Sequence, residues 1–270
     1  MTVRSRFSLD GTVAVVTGAR GKLGPVWVSA LADAGARVAA LDLPGAVGSA
    51  NWAGLDQSNG RIASFDCDIT RRDDLEEACA RVTRELGAPA VLVNNAGVDQ
   101  PPDTGGARAE AQDISADVFR RMVEVNLVGT FQATQVFGTA MLEAGRGSII
   151  NIGSLYASVS PDQRFYDHFP GTPPFLKGPA YGASKAGVVS LTKFFATLWG
   201  PRGIRVNTLS PGGVSASQDA EFVRKYSSRV PLARMAVDQD LTGPLVFLAS
   251  DASSYVTGAE LRIDGGFTAW

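Results

Sequence analysis

TVAVVTGARGKLG, residues 12–24, places a β-branched apolar run directly before a glycine-rich turn, and a helical pattern begins just beyond it near Pro25. A run of this kind suits a buried strand. Where such a strand turns into a helix, backbone N–H groups and the positive end of the helix dipole meet, and a pyrophosphate can sit there. Gly18, Arg20, Lys22, Leu23 and Gly24 are the turn residues expected around it. A glycine-rich turn alone also serves as a tight strand-to-helix connection. Asp42 adds weight to the nucleotide reading, because it closes the next apolar run 24 positions after Gly18. An acidic residue there accepts hydrogen bonds from an adenosine ribose and repels a 2′-phosphate. NAD is therefore expected over NADP, with Arg20 and Lys22 the two residues that keep NADP as the less favoured alternative.

Outward from this unit, the pattern repeats. ARVAALD (36–42), RIASFD (61–66), APAVLVN (88–94), GSIINIGS (147–154) and GIRVNTLS (203–210) read as further strands, and helical patterns lie between most of them. Alternation from end to end predicts an α/β fold: a doubly wound, mostly parallel sheet in a Rossmann-like, three-layer single domain over residues 1–270. The irregular stretches are 43–60, 98–114, 157–179 and 211–235, and three of them follow strands expected to end at one edge of the sheet, where open α/β folds bind ligands. No internal repeat, linker or low-complexity tract divides the chain.

Composition narrows the partners. With 25 basic against 27 acidic residues and no basic run, neither nucleic acid nor an anionic membrane is an expected partner. The N-terminal apolar run is short and interrupted by Asp10 and Gly11, unlike a signal peptide, and no stretch is apolar enough to span a bilayer. Cys67 and Cys79 lack metal spacing, and with His168 the single histidine no metal site is expected. The reading is a cytoplasmic protein with a small-molecule ligand.

At this point the chain resembles the short-chain dehydrogenase/reductase family. The resemblance rests on TGARGKLG, Asp68 in CDIT, NNAG (94–97), Asn126 in VNLVG, Ser154, YGASK (181–185), PGG (211–213) and the closing VTGAELRIDGG, in order along nearly the whole chain. It implies a homotetramer or homodimer that moves a hydride between a nicotinamide and an alcohol or ketone. It further implies that Asp68 and Ile69 border the adenine, that Asn95, Ala96 and Gly97 lie on the adenosine side, and that Pro211, Gly212 and Val214 face the nicotinamide carboxamide. Lys185 would hold the nicotinamide ribose, and Asn126 would position Lys185 through a water.

The residues support that chemistry directly. Tyr181 and Lys185 stand four apart in a helical pattern, so both side chains share a face. An ammonium beside a phenol favours the phenolate, and Tyr181 can then take a hydroxyl proton. Ser154, at a strand end, would hydrogen-bond the reacting oxygen and stabilise charge developing on it. Two departures from the family pattern stand out. Lys22 occupies a common glycine position, and Ala216 stands where a threonine often grips the carboxamide, leaving Ser215 or Ser217 as substitutes.

Between Ser154 and Tyr181 lie 26 residues, 155 through 180, a longer connection than the family usually carries. Its extra length, an insert over 157–179, falls beside the reacting centre and is expected to form a pocket wall, with a subunit contact or plain surface loop as the alternative. Pro161, Pro170, Pro173, Pro174 and Pro179 stiffen it, and Phe165, Tyr166, Phe169 and Phe175 can anchor it. Tyr156, Arg164, Asp167, His168 and Lys177 are its polar candidates for substrate recognition, although His168 alone reads more as a hydrogen-bonded loop residue than a proton donor. Asp99, Gln100 and Asp103 can face the same pocket. Such side chains suit a sugar, sugar acid or sugar derivative. Residues 213–235, with a short helix inside Ser217–Arg229, read as a substrate lid, and Trp270 as either a subunit contact or simple packing. The alternatives are an NADPH-dependent carbonyl or 3-ketoacyl reductase and a non-catalytic dinucleotide-binding regulator. Asp42 argues against the first, and the presence of both Tyr181 and Lys185 against the second.

Overall fold

Among the described residues, seven parallel strands form one sheet in the order β3-β2-β1-β4-β5-β6-β7. The computed structural model describes residues 2–55, 60–100 and 110–270. In chain order the main elements are β1 (Val13–Thr17), α1 (Gly24–Asp33), β2 (Arg37–Asp42), α2 (Ala50–Ala53), β3 (Ile62–Asp66), α3 (Arg72–Glu85) and β4 (Val91–Asn94). There follow α4 (Ala116–Val123), α5 (Thr130–Ala144), β5 (Gly147–Ile152), α6 (Ala180–Trp199), β6 (Ile204–Pro211), α7 (Ala220–Arg229), α8 (Asp238–Ala249) and β7 (Glu260–Ile263). Within the described residues no helix is long and apolar enough to cross a membrane.

The apolar runs are nearly continuous because both faces of the sheet are covered. On β1, Ala14 and Val16 pack with Trp27 and Leu31 of α1 and with Leu241 and Leu245 of α8. Val13 and Val15 point the other way, onto Leu75 and Val82 of α3, Phe137 and Met141 of α5 and Phe195 of α6. Alternate residues thus serve two cores, as the period of two in a strand requires.

Six of the seven strands match the sequence expectation to within a few residues; the seventh does not. ELRI alternates Glu260 and Arg262 with Leu261 and Ile263, and only the apolar pair packs on the α1–α8 side. As an edge strand β7 turns Glu260 and Arg262 to its other face, where Arg262 Nη2 lies 3.0 Å from Glu260 Oε2 and Glu260 Oε1 accepts from Ser210 Oγ at 2.8 Å, so it lacks the apolar run by which its neighbours were recognised. A π-helical segment, Glu124–Gly129, joins α4 to α5 and carries the buried Asn126.

Because all strands run parallel, β1, β2, β4, β5 and β6 end at one edge. The strand order reverses between β1 and β4, which opens a crevice there. Leu92→Ala, at a fully buried position on the central β4, is expected to cost about 2–5 kcal/mol and to lower the urea midpoint accordingly.

Candidate active site

The glycine turn is held shut by its neighbour strand. Gly18 has φ +62°, and a Cβ there would come 2.7 Å from Ala96 Cα, so only glycine lets the turn after β1 lie against the loop after β4. A Cβ at Gly24 would run into the carbonyls of Gly18 and Ala19. No side chain caps α1; Pro25 has no N–H and the Val26 N–H turns back to the Leu23 carbonyl at 3.1 Å, so the N–H groups of Leu23 and Gly24 are those left for a ligand. The loop after β4 supplies the brace. Thr17 Oγ1 accepts from the N–H groups of Asn95 and Ala96, each at 3.1 Å. Asn95 Nδ2 donates to the carbonyls of Thr17 (3.0 Å) and Gly18 (2.9 Å), and Asn95 Oδ1 accepts from Trp27 Nε1 at 2.7 Å. The Asn95 carboxamide is thus committed to joining β1, α1 and β4, and it fixes the turn from below.

Asp42, at the tip of β2, accepts the Arg20 N–H at 2.7 Å and the Leu43 N–H at 2.8 Å. A carboxylate has about four acceptor positions, so two remain for a ligand. The Arg20 guanidinium turns away to the Ala46 carbonyl (3.2 Å) and stacks 5.8 Å from the Trp52 ring. Lys22 reaches across the crevice to the Val214 carbonyl at 3.3 Å, and burial lowers its pKa against the opposing pull of Asp238 and Asp99. Asp68 accepts from Thr70 N (2.9 Å) and Thr70 Oγ1 (2.7 Å), while Ile69 packs against Gly129.

These groups share one cleft of about 940 Å³ with Ser154, Tyr181 and Lys185. Its walls include Gly18, Arg20, Lys22, Leu23, Asp42, Asp68, Ile69, Asn95, Ala96 and Gly97, then Ser154, Tyr156, Tyr181, Lys185, Gly212 and Val214. Pro211 ends β6 just behind it.

Helix α6 delivers Tyr181 and Lys185, and a buried polar chain fixes α6 on the sheet. Asn94 Nδ2 donates to Asn151 Oδ1 (2.8 Å), Asn151 Nδ2 to Thr192 Oγ1 (2.8 Å), and Thr208 Oγ1 to Thr192 Oγ1 (2.8 Å). Lys185 Nζ donates to the Ile152 carbonyl at 2.7 Å and lies 5.7 Å from the Tyr181 ring centre. Burial lowers Lys185 to about 8, with Asp99 pulling the other way. Burial also pushes the Tyr181 phenol up, the Asp99 charge adds to that, and a hydrogen bond with Ser154 opposes it. Within the protein the desolvation of Tyr181 therefore outweighs the phenolate stabilisation expected from Lys185. Asn126 sits beneath Gly97. Its Oδ1 accepts from Val98 N (2.7 Å) and its Nδ2 donates to Val98 O (2.9 Å) and Ser184 Oγ (3.1 Å).

Two substrate candidates lie elsewhere. The Arg164 side chain is 79% exposed and pairs with Asp162 at 2.6 Å, outside the cleft walls. His168 Nε2 lies 2.9 Å from Asp219 Oδ1, the N-cap of α7, and Asp167 pairs with Lys225 of α7. Both residues of this latch, His168 and Asp167, tie segment 157–179 to α7 and do not line the cleft. Arg164 and His168 fall outside because each is already satisfied, Arg164 by Asp162 two residues away and His168 by the side chain of Asp219, 51 positions distant.

Tyr166 and Lys177 are the members of the segment that line the cleft. Phe165, Tyr166 and Phe175 are buried with Tyr226 and Val230 in a third apolar cluster. Phe165 meets Tyr226 at 5.7 Å and Phe222 at 6.2 Å, so the segment and α7 pack as one unit. Sequence reasoning did not single out Gln218, Phe222 or Tyr226, all of which line the cleft. Tyr226 accepts the Gly213 N–H at 2.6 Å, and Gln218 bonds both Ala216 N (2.7 Å) and Val214 O (2.9 Å). Gln218 thus closes its own loop through Val214 and Ala216; the four-residue spacing of Phe222 and Tyr226 was their available signal. Trp270 donates to the Arg229 carbonyl at 3.2 Å, at the end of α7. Asp103 lies outside the described residues. Cys67 is buried in the core with its thiol pushed up to about 12, and no group of metal-binding residues forms among the described residues.

Comparison with known proteins agrees with this architecture. Residues 20–268 match the family described as "Enoyl-(Acyl carrier protein) reductase". The chain is 37% identical over 273 residues to D-threitol dehydrogenase of Mycolicibacterium smegmatis, covering 99% of this chain and 97% of that one. Among solved structures, a gluconate 5-dehydrogenase from Burkholderia cenocepacia in complex with NADP and tartrate superposes with a TM-score of 0.85 at 29% identity, covering 100% of both chains. A short chain dehydrogenase from Leptospira borgpetersenii with bound NAD+ gives a TM-score of 0.83 at 33% identity, covering 99% of this chain and 96% of the other.

Asn95→Ala is expected to loosen the glycine turn, lowering both thermal stability and dinucleotide affinity, because it strands the buried Trp27 indole N–H as well as freeing two turn carbonyls. Thermal denaturation with and without NAD checks this. Ordered motifs, a seven-stranded parallel sheet and these relatives make the chain a member of the short-chain dehydrogenase/reductase family, an NAD(P)-binding oxidoreductase acting on CH–OH groups.

Proposed function

We propose that the chain is an NAD-dependent dehydrogenase that oxidises a secondary alcohol of a sugar, sugar alcohol or sugar acid. The observation that carries this reading is the Tyr181 phenol, set between Ser154 and Lys185 in a cleft that also presents Asp99, Lys177, Tyr156, Tyr166 and Gln218. The names of the threitol and gluconate dehydrogenases among its relatives support the substrate class.

The turn fits a dinucleotide: Gly18 and Gly24 leave backbone where a Cβ would intrude, the α1 terminus is uncapped, and Asp42 keeps free acceptor positions for a ribose diol. When bound, the oxidised nicotinamide supplies the hydride acceptor and a positive charge. Tyr181 Oη takes the substrate hydroxyl proton, Ser154 Oγ holds the same oxygen by a hydrogen bond, and the Lys185 ammonium keeps the phenolate form within reach. Asn126 acts through Val98 and Ser184, positioning the loop after β4 and the first turn of α6. Segment 157–179 and residues 213–235 form a joined wall and lid that keep water from the reacting atoms. Exposed Phe131, Phe194 and Leu198 on α5 and α6 support assembly as a homotetramer or homodimer.

A second reading, an NADP-dependent enzyme, is favoured by Arg20 and Lys22 flanking the turn. A panel of polyols, sugar acids and simple secondary alcohols, tested with NAD and NADP by reduced-nicotinamide absorbance, separates the two. Selective NAD reduction is expected, and Asp42→Ala is expected to raise relative use of NADP by removing the charge that repels a 2′-phosphate. Exclusive use of NADP by the unaltered protein would reject the assignment of Asp42. Tyr181→Phe is expected to abolish turnover while NAD still binds. Because burial raises Tyr181, the base form gains with pH, so kcat/KM for alcohol oxidation is expected to climb from neutral to alkaline pH.

A further inference from the structure

Lys177 is a buried lysine that the proton-transfer chemistry does not use. Its backbone is clamped on both sides by one carboxamide: Gln163 Nε2 donates to Lys177 O at 3.1 Å, and Lys177 N donates to Gln163 Oε1 at 3.0 Å. The side chain is 5% exposed, yet its tip belongs to the cleft wall, 5.6 Å from the Tyr181 ring centre on a ring that Lys185 also approaches. Lys177 Nζ donates to Asp99 Oδ2 at 2.6 Å and to the Gln100 carbonyl at 3.0 Å. An ammonium has three donors, and the third meets no acceptor among the described residues.

Asp99 is the complement. Its side chain is 42% exposed to the cleft, Oδ2 faces Lys177, and Oδ1 accepts from Gln100 N at 2.8 Å. Acceptor positions remain on both oxygens. Its charge is felt by Tyr156, Tyr166, Tyr181 and Lys185, which places it centrally among the cleft's polar groups. A cation and an anion held 2.6 Å apart, each with unused hydrogen-bonding capacity, match the two oxygens of a diol, one hydroxyl accepting from Lys177 and its neighbour donating to Asp99. A substrate carboxylate would gain from Lys177 but meet the Asp99 charge beside it, and the pair as a whole is neutral.

Resting on the proposed dehydrogenase activity, we propose that Asp99 and Lys177 form a charge-neutral diol clamp that makes the enzyme select neutral polyols over sugar acids. The pair determines specificity next to the catalytic tyrosine and takes no part in proton or hydride transfer.

The test compares the unaltered protein, Asp99→Asn, Lys177→Met and the double variant on alditols and on aldonates of matching chain length. The readout is the ratio of kcat/KM for aldonate over alditol, because a changed proton affinity of Tyr181 acts on both substrates alike and cancels. NAD binding and circular dichroism confirm that each variant is folded, and Asp99→Asn, near-isosteric and partly exposed, serves if Lys177→Met does not fold. The unaltered protein is expected to prefer alditols. Asp99→Asn leaves an uncompensated cation and is expected to raise the aldonate-to-alditol ratio about tenfold or more. Lys177→Met is expected to lower that ratio further, chiefly by excluding aldonates while raising KM for alditols. The double variant restores neutrality and is expected to lose the gain of Asp99→Asn. Ratios for all variants within about twofold of the unaltered protein, or an unaltered protein that prefers aldonates, would overturn the clamp and leave the dehydrogenase reading intact. Absence of turnover with any alcohol and either cofactor would overturn both.

Discussion

An ammonium buried under the C-terminal edge of the sheet must be paired, and the way Lys185 is paired organises the site. Its Nζ bonds the carbonyl of Ile152, the last residue of β5, at 2.7 Å. That bond ties α6, on which Tyr181 stands one turn earlier, to the end of β5, beyond which Ser154 lies two residues on. Leaving such a charge without its acceptor would cost several kcal/mol. The buried chain from Asn94 through Asn151 and Thr192 to Thr208 ties the middle of the same helix to β4, β5 and β6. Polar residues inside an otherwise apolar sheet thus act as locating pins, since an unpaired one would be expensive wherever the helix slid.

The same logic governs the nucleotide end. Thr17 and Asn95 spend their side chains on the backbone of the glycine turn, and Gly18 is needed because Ala96 presses against it. Asn95 of the NNAG motif therefore acts as a strut for the glycine turn, while Asn95, Ala96 and Gly97 also form part of the cleft wall beside Asp42. Loop and helix terminus are already tied together by these bonds, which limits the ordering entropy that binding must overcome.

On the opposite side of Tyr181 the construction changes from polar pins to aromatic packing. Phe165, Tyr166, Phe222, Tyr226 and Phe267 join the segment after β5, helix α7 and the chain end in one cluster. Ion pairing of Asp167 with Lys225 and the bond of His168 to Asp219 lock its rim. A wall built this way packs as a unit, and it delivers Tyr166 and Lys177 to the cleft while His168 and Arg164 remain on the rim.

Local sequence determined the periodic and motif-borne features. Six strands, the glycine turn, Asp42 and the Tyr181–Lys185 pair were legible because each depends on interactions within a few residues: two-fold alternation, a helix turn, a strand-to-helix junction. The edge strand β7 escaped because its pairing partner β6, not its own hydrophobicity, makes it a strand. Tertiary structure alone decided which polar residues line the cleft. Lys177 and Arg164 belong to the same segment and looked equivalent as cations, but Arg164 finds Asp162 two residues away, whereas Lys177 finds Asp99 from another loop, 78 positions distant. A long-range partner cannot be read from spacing, since loop closure brings together residues whose separation in sequence carries no periodic signal. It is that distant pairing which turns a loop lysine into part of the cleft.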